Sequence, residues 1–166
     1  MLPETIMLMR ATINGRAIEM EIEARELLID LLRDRLELTG TKRSCDSQVC
    51  GACTVLLNGQ PVSSCCTLAY EANGKEVQTI EGLAQGRQLD PIQDAFVEKA
   101  AIQCGFCTPG FVLTTKAMLA ENPHPTRHEI KSYLGGNLCR CTGYWNIIDA
   151  AEEAARRLAS EAEAGQ

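Results

Sequence analysis

The most constraining feature of this sequence is its nine cysteines, which fall into two separate sets. Five lie between residues 45 and 66, and four lie between residues 104 and 141. The total is odd, and the opening "MLPETIMLMR" has Glu4 and no basic leader, so a secreted disulfide scaffold is disfavoured. In a reducing compartment, clustered thiols are typical of metal ligands or redox groups. We therefore predict a cytoplasmic metal-binding protein.

Composition and charge remove two other classes of protein. The formal net charge is −6, and no run of lysine and arginine is longer than two residues, so nucleic-acid binding has no electrostatic support. No apolar run approaches the roughly 18 to 20 residues that span a bilayer, so no transmembrane segment is expected. A length of 166 residues fits one medium domain or two small ones.

The first half of the sequence has the alternation and turn signals of a β-rich domain. Asn14-Gly15 and Asn58-Gly59 each separate two short apolar runs, and each predicts a β-hairpin. "NGKEVQTI" predicts a further strand at about residues 77–80. The leucines of "RELLIDLLRDRLEL" lie on one face of a helix. Five short strands and one helix predict a small mixed α+β domain.

The second half changes to helical patterns. Asp90-Pro91 has the residues preferred at a helix start, and Pro109 predicts the opening of a second helix. "TRHE", which begins at Thr126, has capping-box spacing and predicts a third. "YWNIIDAAEEAARRLA" predicts a last amphipathic helix, after which "SEAEAGQ" is expected to fray. Four helices predict a small bundle, joined to the first half by "EGLAQGRQL".

The first cysteine set has the spacing C-x4-C-x2-C-x11-C, which is the plant-type [2Fe–2S] pattern. A loop that wraps such a cluster needs small residues and backbone N–H groups that point at sulfur, and Ser47, Gly51 and Ala52 meet this need. Spacing alone barely separates Cys65 from Cys66 as the fourth ligand. The ligands predicted from this pattern are Cys45, Cys50, Cys53 and Cys65.

Zinc is the main alternative for these cysteines. Structural zinc sites usually have paired C-x2-4-C knuckles or histidine ligands, which the first set fits poorly. His124 and His128 lie far from any cysteine in the sequence, which also disfavours a Rieske centre.

The second cysteine set comes from "QCGFCTPG" and "NLCRCTGY" and reads C-x2-C-x31-C-x1-C. "CGFC" alone could be a thioredoxin-like redox pair, but that motif expects a βαβ context and helices flank it here. Four thiolates from two loops between helices could enclose a second cluster, although this spacing could also hold zinc. The ligands would be Cys104, Cys107, Cys139 and Cys141.

"CDSQVCGACTV", "QCGFCTPGF" and "GGNLCRCTGY" together resemble the iron–sulfur subunits of the molybdenum hydroxylases, the xanthine oxidase family. The resemblance covers about Thr12 to Ala151 and is nearest to the small subunits of three-chain bacterial enzymes such as carbon monoxide dehydrogenase and quinoline oxidoreductase. It implies a plant-type ferredoxin-like β-grasp domain over residues 1–82, followed by a four-helix bundle domain over residues 83–166. Each domain would hold one [2Fe–2S] cluster. The resemblance also favours Cys65 over Cys66.

The resemblance further implies partners and an electron path. A large subunit would bind molybdopterin and a medium subunit would bind FAD, in a dimer of heterotrimers. Electrons would pass from molybdenum through the helical-domain cluster and then the β-grasp cluster to FAD. Gln103 would hydrogen-bond the pterin, and Cys141 would be the cluster ligand nearest to it. Without the resemblance, Gln103 would be interpreted as a surface amide.

The sequence has no nucleophile paired with histidine, no phosphate-binding glycine loop and no GxGxxG. We therefore expect an electron-transfer subunit of an oxidoreductase, with substrate chemistry on the partner chains. The choice of substrate belongs to the large subunit, so carbon monoxide, an N-heterocycle, an aldehyde and an aryl-CoA ester all remain open. The rival functions are a zinc-stabilised interaction module and a free ferredoxin; the second would need only the first domain.

Overall fold

The computed structural model describes residues 5–164, with side chains described as far as residue 161. The expectation drawn from Glu4 lies outside these residues, as do the last two residues of the predicted frayed end. The described part of the chain has a mixed α/β fold, with one sheet in the first half and helices in the second. Within that part, no helix is long and apolar enough to cross a membrane.

The first predicted hairpin is confirmed. Strands β1 (Ile6–Ile13) and β2 (Arg16–Glu23) are antiparallel, with Ile13 paired to Arg16 across the turn. Asn14 and Gly15 have φ values of 49° and 77°. Two successive residues with positive φ match the right-handed twist of the strands, and this is why Asn-Gly is preferred in such turns.

The second predicted hairpin is also confirmed, with β3 (Thr54–Leu57) antiparallel to β4 (Gln60–Ser63). The fifth strand, β5 (Glu76–Gln78), lies between β1 and β3, parallel to the former and antiparallel to the latter. The sheet order is β2-β1-β5-β3-β4.

Strand β5 ends earlier than the sequence predicts. The backbone N–H of Thr79 donates to the Asn14 side chain at 2.8 Å, and the Asn14 amide donates to the Thr79 hydroxyl at 2.9 Å. Because the Asn14 side chain accepts the Thr79 N–H, the hydrogen-bond ladder of the sheet stops at Gln78. Ile80–Gly82 then form a 3-10 turn.

The predicted helix of the first half is shorter and differently wound. Helix α1 (Leu28–Asp30) continues directly as a π-helical turn, Leu31–Arg35. Leu27 forms an isolated antiparallel bridge with Leu68, which delays the helix start. The Leu36 N–H reaches back five residues to the Leu31 carbonyl at 3.0 Å, as in a π-helix. The leucine face is confirmed at its centre, where residues 28, 31 and 32 are fully buried.

The second half contains four α-helices, as the patterns predict. They are α2 (Pro91–Glu98), α3 (Thr108–Glu121), α4 (Arg127–Tyr133) and α5 (Trp145–Ala164). Asp90 caps α2 by accepting a hydrogen bond from the Ile92 N–H at 2.9 Å, and Thr126 caps α4. The second of these helices begins at Thr108, one residue before the predicted Pro109.

The expected fraying after residue 159 was wrong for residues 160–164, which continue α5. The Ser160 hydroxyl donates to the Arg157 carbonyl at 2.7 Å, and the following Glu and Ala residues are good helix formers.

Each half has its own apolar core. The first packs one face of the sheet against α1 and the π-helical turn, around Met9, Ile22 and Val77. The second fills the space between the helices around Phe96 and Phe111, and it also includes Leu56 from β3. Since a sheet residue belongs to the helical core, the two halves pack directly against each other. The two cysteine regions also meet, since the Leu138 N–H donates to the Cys50 carbonyl at 2.9 Å.

Candidate metal centres

The first cysteine loop, residues 45–53, is held in an unusual backbone conformation. Asp46, Gln48 and Gly51 all have positive φ, at 51°, 60° and 66°. These bends turn the backbone N–H groups of residues 47, 49 and 50 toward the thiol of Cys45. Their hydrogen bonds, with Ser47 the largest contributor, lower the pKa of Cys45 to about 6. A thiol that titrates below neutral pH is a thiolate at pH 7, the form that binds metal.

Two of the other predicted ligands of the first set lie against each other in the interior. Cys53 and Cys65 are 2% and 4% exposed, and they pack with Ile29. Burial, with the neighbouring Cys65 thiol, raises the pKa of Cys53 to about 11. Cys66 is exposed, although its Sγ lies 3.7 Å from that of Cys65. Burial therefore favours Cys65 over Cys66 as the fourth ligand.

The second set of thiols comes together from two loops, one before α3 and one before α5. The Sγ atoms of Cys104 and Cys141 are 3.6 Å apart, and both residues are exposed. Cys107 contacts Cys139, and burial together with this thiol raises the pKa of Cys107 to about 12.

The thiol of Cys139 has two hydrogen-bond donors of its own. The Thr142 hydroxyl lies 3.1 Å and its N–H 3.4 Å from the Cys139 Sγ. Partial burial opposes ionisation of this thiol, but the Thr142 donors outweigh it and lower the pKa of Cys139. The Cys139 N–H donates in turn to the Tyr144 hydroxyl at 3.0 Å. These bonds fix the loop that carries the last two cysteines.

The donor set fits a binuclear cluster better than a single metal ion. Each iron of a [2Fe–2S] cluster takes two of the four thiolates, whereas one structural zinc gathers four ligands around a point. The nearest thiols form two pairs in each half, as two irons would require: Cys45 with Cys50, Cys53 with Cys65, Cys104 with Cys141, and Cys107 with Cys139.

Comparison with known proteins shows [2Fe–2S] binding domains in this chain. Residues 17–103 match a family profile described as a 2Fe-2S iron-sulfur cluster binding domain, and residues 79–152 match one described as a [2Fe-2S] binding domain. The chain is 45% identical over 149 residues to the nicotine 6-hydroxylase small subunit of Paenarthrobacter nicotinovorans, covering 90% of each chain.

Solved structures give the same result. Quinoline 2-oxidoreductase from Pseudomonas putida 86 contains a chain with 50% identity and a TM-score of 0.86, covering 92% of this chain and 97% of that one. Aldehyde oxidoreductase from Desulfovibrio gigas matches with 39% identity and a TM-score of 0.90. The match covers 93% of this chain and 17% of the aldehyde oxidoreductase chain. The chain belongs to the iron–sulfur small subunits of the molybdenum hydroxylases. It is a 2Fe–2S electron-transfer component of an oxidoreductase complex, which confirms the resemblance seen in the sequence.

The second site of this iron–sulfur subunit opens to the surface. Gln103 is exposed beside Cys104, and Cys141 is exposed as well. The apolar side chains of Ile102 and Leu138, which flank the cysteines in sequence, are 39% and 49% exposed. The first site, by contrast, has two of its four thiols buried. The two sites therefore differ in how closely a partner protein can approach.

Sequence reasoning missed Asn137. It lies directly after the 3-10 turn formed by residues 134–136. The structure also buries Asn137 at 4% exposure, with its amide donating to the Gly51 carbonyl at 3.1 Å. The one sequence feature that could have indicated this contact is the position of a polar amide directly before the "LCRC" ligand segment.

Proposed function

We propose that this subunit passes electrons one at a time from a molybdopterin site on a large partner subunit, through two [2Fe–2S] clusters, to FAD on a medium partner subunit. The observation that carries the proposal is that eight thiols approach one another pairwise, four thiols in each half, and that the cysteine loops of the two halves touch. When bound, each cluster supplies a one-electron carrier. Two such carriers in series can deliver the electrons of a two-electron oxidation singly to a flavin.

The proposed ligands divide between the two halves. The first cluster would be held by Cys45, Cys50, Cys53 and Cys65, and the second by Cys104, Cys107, Cys139 and Cys141. Backbone N–H groups around Cys45 and the Thr142 donors at Cys139 would stabilise thiolate charge. Hydrogen bonds to cluster sulfurs are one of the means by which a protein sets the reduction potential.

The two halves would correspond to two domains, a ferredoxin-like β-grasp domain over residues 1–82 and a four-helix bundle over residues 83–166. The mixed sheet, with β5 placed between β1 and β3 and an α/π-helical turn packed on it, supports the first assignment. The shared core of α2, α3, α4 and α5 supports the second.

The exposure of the second site supports its assignment as the site that faces the large subunit. Cys141 and Gln103 lie at the surface, where a large subunit could bring its pterin against them. Gln103 would hydrogen-bond the pterin, and the first cluster would serve the flavin of the medium subunit. The complete enzyme would be a cytoplasmic dimer of heterotrimers.

Single Cys→Ser variants of the full chain test the ligand assignment. Cys65→Ser should abolish one of two EPR signals of the dithionite-reduced protein, because Cys65 lies in the buried pocket with Cys53. Cys66→Ser is the matched control, with the same substitution one residue away, and it should keep both signals. The reverse pattern would reassign the fourth ligand. Cys141→Ser and Cys104→Ser should each abolish the other signal, and retention of that signal in either variant would contradict the second ligand set.

A further inference from the structure

The outer turn of the first cysteine loop, residues 46–49, carries hydrogen-bond donors of the first site. Asp46 and Gln48 have positive φ, at 51° and 60°, and the N–H groups of residues 47 and 49 point at the Cys45 thiol. Residues other than glycine are disfavoured at positive φ, so isolated peptide would not prefer this conformation. Contacts with the rest of the protein must therefore hold the turn in place.

Few contacts are available for this purpose. Residues 46–49 are all exposed, so no apolar core packs around the turn. Within residues 5–161, one hydrogen bond joins residues 43–49 to a segment outside residues 42–53, and its donor is the Arg43 side chain. A single side chain thus anchors the outer turn from outside the loop.

Arg43 makes this anchor by lying between two carboxylates. Its Nη1 donates to Oδ1 of Asp46 at 3.2 Å, and its Nη2 donates to the carboxylate of Asp30. Asp46 is the first residue of the outer turn and directly follows the proposed ligand Cys45. We call the contact formed by Asp30, Arg43 and Asp46 the loop clamp.

The far end of the loop clamp is attached to a rigid part of the first site. Asp30 is the last residue of α1 and follows Ile29, which is fully buried. Ile29 packs against Cys53 and Cys65, the two buried thiols of the first ligand set. The loop clamp therefore connects the exposed side of the site to the helix that packs against its buried side.

The geometry of the loop clamp needs a guanidinium group. Arginine has a planar fork that can donate to two carboxylates at once, whereas lysine has one compact ammonium group. The side chains of Asp30, Arg43 and Asp46 are 39%, 37% and 46% exposed. Ion pairs as exposed as these add little to the stability of a whole protein. We therefore expect the clamp to act on the loop rather than on the fold.

We propose that Arg43 is a positioning residue of the first cluster site: it bridges Asp30 and Asp46, holds the outer turn with its N–H groups toward the Cys45 sulfur, and thereby keeps the reduction potential of the first cluster high. The inference deepens the proposed function and rests on it, since it needs both clusters. The step that it affects is the gain of one electron by the first cluster and its loss by the second. No covalent bond changes in this step.

The direction of the effect follows from charge. A cluster that gains an electron gains one negative charge, so N–H donors at its sulfurs stabilise the reduced form more than the oxidised form. Release of the outer turn weakens these bonds and lowers the potential. Removal of the Asp30 carboxylate would have the opposite effect through charge alone, because a less negative surrounding favours reduction. The sign of the shift therefore separates a clamp from a simple charge effect.

The test uses the full, cluster-loaded chain and two clamp variants, Asp30→Ala and Arg43→Lys. Glu19→Ala is the matched control, because it also removes one carboxylate from an exposed ion pair, that with Arg10 at 2.5 Å in the β1–β2 hairpin. Midpoint potentials of both clusters are measured by anaerobic redox titration followed by EPR. The signal that is lost in Cys65→Ser identifies the first cluster. Hydrogen exchange of residues 46–50 is measured by mass spectrometry on the oxidised proteins.

We expect both clamp variants to lower the potential of the first cluster and to leave that of the second unchanged. At the wild-type midpoint, the ratio of reduced to oxidised first cluster should fall roughly two- to tenfold, the factor that corresponds to about one lost hydrogen bond. This is a shift of about 20–60 mV, since a tenfold ratio of a one-electron couple corresponds to about 59 mV. Exchange of residues 46–50 should be faster in both variants, and Tm should stay close to that of the wild type. Glu19→Ala should match the wild type in both potentials and in exchange.

Four results would overturn the inference. A higher first-cluster potential in Asp30→Ala would show that the carboxylate acts through its charge alone. Wild-type potentials in both clamp variants, or wild-type exchange of residues 46–50, would show that the loop needs no clamp. Loss of the first-cluster signal from either variant would make the clamp a requirement for cluster binding. Failure of the proposed function is distinguishable from all of these, because the wild-type chain itself would then show fewer than two clusters.

Discussion

Replacing Gly110 with alanine tests how closely the two halves of the molecule are packed. Gly110 lies in the first turn of α3, and an added Cβ would meet the Gly51 carbonyl oxygen at 2.2 Å, where ordinary contacts are 3.4–4 Å. Relief of this overlap requires a backbone movement of more than an ångström. Because the obstacle is main chain of the first cysteine loop, no side-chain rotation can provide that movement.

Three contributions determine the change in the free energy of unfolding of Gly110→Ala. Overpacking of a tight site costs about 1–3 kcal/mol. Displacement of the Gly51 carbonyl also weakens its bond to Asn137, which contributes about 0.5–1.5 kcal/mol. Against these, Gly→Ala in a helix gains up to about 1 kcal/mol in propensity. With the full gain in propensity the net destabilisation is about 0.5–3.5 kcal/mol, which lowers Tm by about 1–14 °C for a protein of this size.

The assay is thermal unfolding of the anaerobic, cluster-loaded chain, followed by circular dichroism and by the visible absorption of the clusters. Gly135→Ala is the matched control, because an added Cβ there meets nothing within 4 Å. Gly110→Ala should melt below the wild type, and Gly135→Ala should melt close to it. If Gly110→Ala is as stable as the Gly135 variant, the close packing of α3 on the first cysteine loop is refuted.

Two other predictions concern charged groups of the helical half. Asp90→Ala should lower Tm by a few degrees, because it removes the N-cap of α2, worth about 1 kcal/mol, and the 3.0 Å ion pair with Lys116. Asp90→Asn keeps the cap, so its Tm should fall less. Equal losses of Tm in the two variants would count against the cap. Hydrogen bonds from Arg156 and Arg157 lower the pKa of Glu153 to about 2. A carboxyl group whose pKa is lowered by folding stabilises the fold at pH values above its ordinary pKa, near 4.5, and this stabilisation is lost as the pH falls toward 2. Glu153→Gln should therefore be less stable than the wild type at pH 7, and the difference should shrink below pH 4.5. A difference that persists unchanged to pH 2, measured by thermal melts, would contradict this.

The features that sequence predicted well depend on local backbone chemistry. Asn14-Gly15 forms its hairpin because both residues adopt positive φ readily. Asp90 and Thr126 cap their helices because each side chain reaches an N–H only two or three residues away. The grouping of the cysteines into two sets was visible in the same way, from spacing along the chain.

The features that sequence did not predict depend on contacts between distant segments. The π-helical turn Leu31–Arg35 follows a start set by the bridge between Leu27 and Leu68, which periodicity cannot show. The early end of β5 follows from the Asn14 side chain, 65 residues from Thr79. The hydrogen bond from Asn137 to Gly51 spans 86 residues. In each case, tertiary packing decided between local conformations that the sequence left close in energy.

The proposed electron path requires two [2Fe–2S] clusters in each subunit, and low-temperature EPR can count them. The anaerobically purified full chain is reduced with dithionite, and its low-temperature EPR spectrum is integrated against protein and metal content. We expect two distinct S = 1/2 signals that together approach two spins per chain. A single signal near one spin per chain would contradict the assignment of one of the two cysteine sets. No signal, with zinc found by elemental analysis, would contradict the electron-transfer role.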